Sequence, residues 1–180
     1  EQAAGRYDFE MPLEVYERVA IAKTGALYGA ACELGFRYPD GSEFDGAGMR
    51  SFGREIGLAF QIVDDLIDLS GDEETAGKST GTDVEDGKVT LAVLHAYQHA
   101  DAATRAKMRD AYTLPGLDAS PGGRLARLRE VCDLEPGCAR ARCRAAELVE
   151  SARGRLERLP EGPWRSALFT LSEFVLERRW

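Results

Sequence analysis

The sequence predicts an all-α protein of six to eight helices, and three observations carry that reading. Apolar residues recur at three- and four-residue spacing along most of the chain. Gly- and Pro-rich breaks fall between the periodic stretches, and nothing reads as a run of alternating strands. Residues 12–35, rich in Ala, Leu, Val and Tyr, form the first predicted helix and end at Gly35. Residues 47–70 carry Met49, Phe52, Ile56, Ala59, Phe60, Val63 and Ile67 as one apolar stripe, the second helix. The segment 71–87 is polar, holds Gly71, Gly77, Gly81 and Gly87, and reads as a long loop. Helices follow over 88–100 and from Asp101 to Tyr112, where Leu114-Pro115-Gly116 breaks the pattern. Pro121-Gly122-Gly123 opens another, to about Cys132. Cys138, Ala141, Ala145, Leu148, Ala152, Leu156 and Leu159 mark a helix over 137–159, stopped by Pro160. A core-facing helix is preferred there to a coiled coil. The last helix, 163–178, carries Trp164, Leu168, Leu171, Val175 and Leu176.

Composition bounds the function. A chain of 180 residues is one domain or an incomplete piece of a larger one. It begins at Glu1, so it is read either as processed or as the later part of something longer. A net charge of −8 argues against a general nucleic-acid binder, which needs a basic footprint. No apolar run approaches the roughly 20 residues of a membrane span, and the start does not read as a signal segment. The charge is uneven: residues 60–90 hold nine acids against Lys78 and Lys88, nearly the whole net charge. Such a run is either a solvated face or a site for divalent cations. Cys32, Cys132, Cys138 and Cys143 lack CxxC spacing and read as buried free thiols in a reduced, cytosolic-type compartment. Gly71 to Gly77-Lys78-Ser79 has the wrong gap and the wrong preceding element for a nucleotide loop. His95 and His99 lack the Glu of a zinc-protease helix and read as surface or capping residues.

The informative stretch is Phe60-Gln61-Ile62-Val63-Asp64-Asp65-Leu66-Ile67-Asp68. Asp64 and Asp68 are four apart on one helix face, Asp65 lies three before Asp68, and Gln61 lies one turn earlier. Like charges at that spacing oppose the helix, and burying them unpaired costs far more. A hard divalent cation such as Mg2+, held by one or two carboxylates and a substrate phosphate, would compensate. Three solvated aspartates at an exposed helix end is the other reading, and spacing alone leaves both open. Lys78 and Lys88, each just after a Gly, would act as point charges on a diphosphate bridged by the same metal.

These residues resemble a known family. Phe60-Gln61, Asp64-Asp65-Leu66-Ile67-Asp68, Gly77-Lys78-Ser79-Thr80-Gly81-Thr82-Asp83 and Gly87-Lys88-Val89-Thr90-Leu91 look like the second aspartate-rich motif and following loop of the trans-type polyprenyl diphosphate synthases. Tyr16 through Lys23-Thr24-Gly25-Ala26-Leu27 is similar to that family's Lys-Thr helix, and Gln2 with Asp8-Phe9-Glu10 to the segment before it. The resemblance covers residues 1 to about 100.

It implies an orthogonal helical bundle of the isoprenoid synthase type, with residues 1–180 as the C-terminal part of a single domain. It implies Asp64 as a Mg2+ ligand, with Asp65 and Asp68 ligating or holding its waters. Lys23, Lys78 and Lys88 would contact the allylic diphosphate, and Thr24 and Gln61 would place oxygen dipoles near the developing cation. The reaction would condense isopentenyl diphosphate with an allylic prenyl diphosphate through a Mg2+-assisted allylic carbocation. A cytoplasmic homodimer is the implied state. The family's first aspartate-rich motif is absent from these residues, so the chain is expected to be inactive alone. Ala92 stands where many relatives have Pro. Two further readings stay open: a non-catalytic partner subunit of a synthase, and a terpene cyclase of the same fold.

Overall fold

A computed structural model of the chain describes residues 5–37, 46–70, 81–114 and 123–178. Every regular element among them is helical. In order they are α1 (Leu13–Ala20), a π turn (Ile21–Gly25), α2 (Ala26–Arg37), α3 (Gly46–Ser70), α4 (Thr82–Glu85), α5 (Leu91–His99), α6 (Ala102–Thr113), α7 (Gly123–Val131), α8 (Glu135–Leu156) and α9 (Pro163–Glu177).

The all-α expectation holds, and the element bounds fall within a few residues of those expected. Three details differ. The first predicted helix contains a π turn, in which the Ala26 amide donates to the Ile21 carbonyl five residues back. One inserted residue leaves the apolar period almost unchanged, so it is invisible in the sequence. Part of the predicted loop is the short helix α4. The four thiols are free but only partly covered, and Cys143 is exposed. Polar neighbours on the outer side of α8, such as Arg142 and Arg144, place Cys143 on the solvent side of an otherwise core-facing helix.

The chain divides into two compact units. The first comprises Glu1–Tyr16, Asp64–Arg142 and Arg179–Trp180. Its core includes Phe9, Leu94, Tyr97, Met108, Tyr112 and Leu128. The Phe9 ring lies 4.9 Å from both the Tyr97 and the Tyr112 ring, which anchors the segment before α1. The second comprises Glu17–Val63 and Cys143–Arg178. Its core includes Phe52, Ile56, Leu58, Ile62, Ala152 and Leu156. In α8, Ala141, Ala145, Leu148, Ala152 and Leu156 are buried, as a core-facing helix requires.

Small residues set the helix spacing in the second unit. A Cβ at Gly57 would stand 2.7 Å from the Gly25 Cα, and one at Gly53 would stand 2.4 Å from the Tyr28 carbonyl oxygen. Only glycine lets α3 approach the π turn and α2 this closely, and that approach brings Thr24 within reach of Gln61.

Candidate diphosphate and metal site

In the first unit, the C-terminal half of α3 presents the carboxylates. Asp65 and Asp68 are buried, whereas Asp64 is partly exposed. Both Asp65 oxygens have protein partners: Lys88 Nζ donates to Oδ1 at 2.6 Å and the Tyr16 hydroxyl donates to Oδ2 at 2.7 Å. The same ammonium donates to Asp83 Oδ2 at 2.8 Å. Burial raises the Asp65 pKa from 3.8 to about 6, against the pull of the Lys88 charge. Burial alone would lower the Lys88 pKa, but Asp65 and Asp83 outweigh it and hold the ammonium above its ordinary value.

Asp68 does a different job. Its Oδ1 accepts from the Thr82 amide at 3.1 Å and the Thr82 hydroxyl at 2.8 Å, and its Oδ2 accepts from the Asp83 amide at 2.9 Å. The Gly81 amide donates to the Asp68 carbonyl at 2.8 Å. A carboxylate on the first amides of a helix satisfies groups that have no partner within it. Gly81, at φ +76°, makes the left-handed turn into α4. Asp68 thus draws Asp83 towards the end of α3, where Asp83 shares Lys88 with Asp65.

The Lys88 backbone is held independently. Its amide donates to the Asp83 carbonyl at 2.8 Å, and the Tyr112 hydroxyl donates to its carbonyl at 3.2 Å. Before it, Gly87 adopts φ +76° against the face of Tyr7, and a Cβ there would stand 2.4 Å from that ring.

In the second unit, the Thr24 hydroxyl donates to Gln61 Oε1 at 2.8 Å. Gln61 is buried, Thr24 partly so, and Lys23 is exposed on the π turn. Such turns recur at functional sites because they offset side chains from the regular helical register. The Phe60 ring packs 5.7 Å from Tyr28 and under the Arg178 guanidinium at 3.9 Å. His95 and His99 stack on each other, rings 4.2 Å apart, and take no part in either cluster.

The structure therefore joins Asp65 to Lys88 and Thr24 to Gln61. Lys78 lies outside the described residues. Sequence reasoning missed the hydroxyl of Tyr16 and the roles of Thr82 and Asp83. Among the described residues, no group of three or more His, Cys, Asp or Glu side chains gathers as a metal site.

The chain is similar to known proteins over nearly its whole length. The fold is that of the isoprenyl diphosphate synthases: a polyprenyl synthase from Caulobacter crescentus, solved in complex with calcium and isoprenyl diphosphate, superposes with a TM-score of 0.85 at 30% identity over 99% of this chain and 54% of its own. Octaprenyl diphosphate synthase from Escherichia coli is 33% identical over 95% of this chain and 52% of its own length. A short chain isoprenyl diphosphate synthase from Methanothermobacter thermautotrophicus is 36% identical over 92% and 49%. Residues 2–119 match the polyprenyl synthetase family, and the chain belongs to it. It spans about half the length of these curated relatives.

Proposed function

We propose that the chain forms part of a prenyltransferase that condenses isopentenyl diphosphate with an allylic prenyl diphosphate. The observation that carries this reading is the Asp65–Lys88–Asp83 cluster, built on the buried Asp65 next to Asp64, in which one partly covered ammonium is held between two carboxylates at the end of α3.

The donor set fits a hard divalent cation. Asp64 offers carboxylate oxygen, and Mg2+ takes one or two carboxylates and completes its shell with water and substrate phosphate. Asp65 and Asp68 already accept from protein donors, which supports a role in holding the surrounding groups and waters. When bound, the metal would neutralise the charge that builds on the departing diphosphate. Lys23, Lys78 and Lys88 would bind the diphosphate oxygens as point charges. Thr24 and Gln61, locked together, would turn fixed oxygen dipoles towards the allylic cation, where dipoles already in place need no reorganisation. Breaking of the allylic C–O bond leaves the cation, the isopentenyl double bond attacks it to form the new C–C bond, and the resulting tertiary cation would lose a proton to the released diphosphate.

The 180-residue chain alone is proposed to be inactive, since its relatives are about twice as long, and the working enzyme is proposed to be a cytoplasmic homodimer. Calorimetry with inorganic pyrophosphate tests the site itself: uptake by the chain should require Mg2+ and weaken strongly in Asp64→Ala. Uptake that ignores Mg2+, or no uptake at all, overturns the reading. Turnover by the purified chain with both diphosphates would overturn the proposed inactivity.

A further inference from the structure

Lys88 has three N–H donors, and two point at Asp65 and Asp83. Its backbone is pinned by Asp83 and Tyr112. What remains to be fixed is the far end of a long, flexible side chain. That depends on where Asp65 holds Oδ1, and an aspartate carboxyl rotates within a broad well about χ2. The Tyr16 hydroxyl, buried and donating to Oδ2, chooses the rotation that leaves Oδ1 on Lys88. Tyr16 stands on α1, 49 residues from Asp65 in sequence.

We infer that Tyr16 is a positioning residue: acting through Asp65, it holds the Lys88 ammonium in the pose from which its third N–H reaches a ligand phosphate. The inference rests on the diphosphate reading above and assigns a part in it to a residue outside the aspartate and lysine motifs.

The test is a double-mutant cycle on the whole chain. Affinity for inorganic pyrophosphate in saturating Mg2+ is measured by calorimetry, and stability by urea unfolding. Tyr16→Phe keeps the ring and removes only the hydroxyl. It should weaken pyrophosphate binding about tenfold, the scale seen when a supporting hydrogen bond behind a ligand is lost. In a Lys88→Met background the same change should cost less than about twofold, because its effect runs through Lys88. Asp65→Asn should reproduce the loss of affinity. Undiminished affinity in Tyr16→Phe, or the same loss with and without Lys88, overturns the inference, whatever happens to the urea midpoint. A wild-type chain that binds no pyrophosphate overturns the diphosphate reading, and the inference falls with it. Binding by wild type with unchanged affinity in Tyr16→Phe overturns the inference alone.

Discussion

Gly137, in the first turn of α8, lies against the backbone of Ala92 in α5: a Cβ at position 137 would stand 2.1 Å from the Ala92 carbonyl oxygen. The obstacle is main chain, so no side-chain rotation relieves it. Gly137→Ala should destabilise the chain by about 1–3 kcal/mol. Gly154, in the same helix, meets nothing within 4 Å. Gly154→Ala should stabilise by about 0.4–1 kcal/mol, because alanine restricts the unfolded chain and suits a helix. Urea unfolding of the two variants checks the pair, and equal effects would refute the account.

The Lys88–Asp65 pair invites a second measurement. Lys88→Met leaves a buried carboxylate without its cation and should cost about 3–5 kcal/mol. Adding Asp65→Asn removes the stranded charge, so the double variant should be more stable than Lys88→Met alone. A double variant that is less stable by the sum of both single losses would show that the pair is not coupled.

The raised Asp65 pKa makes a pH prediction. Folded, the group takes its proton near pH 6, and unfolded near its ordinary 3.8. Between those values the folded chain binds more protons than the unfolded one, so this group's contribution to stability grows as pH falls through 6 and is lost as pH rises again. The stability gap between wild type and Asp65→Asn, in chelator, should therefore shift in favour of wild type between about pH 6 and pH 4. A gap independent of pH would refute it.

Asp68→Ala removes the acceptor of three hydrogen bonds at the start of α4. It should cost about 0.5–2 kcal/mol and speed hydrogen exchange at the Thr82 and Asp83 amides. Unchanged exchange at both would show that the contacts do not hold the turn.

Much of the fold is legible in the sequence because burial leaves a period. The expected helix over 47–70 differs from Gly46–Ser70 by one residue, since its apolar stripe is continuous and its buried positions follow it. The π turn leaves no such trace. Tyr16 reads as one more apolar position, because the sequence shows its ring and not the partner of its hydroxyl. Asp65 and Lys88 are 23 residues apart, and only the fold brings them into contact. One compositional signal does point at the site. The chain has four lysines, Lys23, Lys78, Lys88 and Lys107, whereas its other 19 basic side chains are arginine. Three of the four fall in the motifs, which sets those positions apart in a chain that otherwise mostly uses arginine.

The bonds from Gly81 and Thr82 back to Asp68 also govern what the chain tolerates between them. The end of α3 and the start of α4 thus meet at one aspartate, and these bonds, not the length of sequence between them, set their separation. Closing a loop twice as long costs only about 0.6 kcal/mol more in chain entropy. A short polar peptide inserted between positions 71 and 76 should therefore leave the end of α3 and the start of α4 joined at Asp68, with hydrogen exchange at the Thr82 and Asp83 amides unchanged.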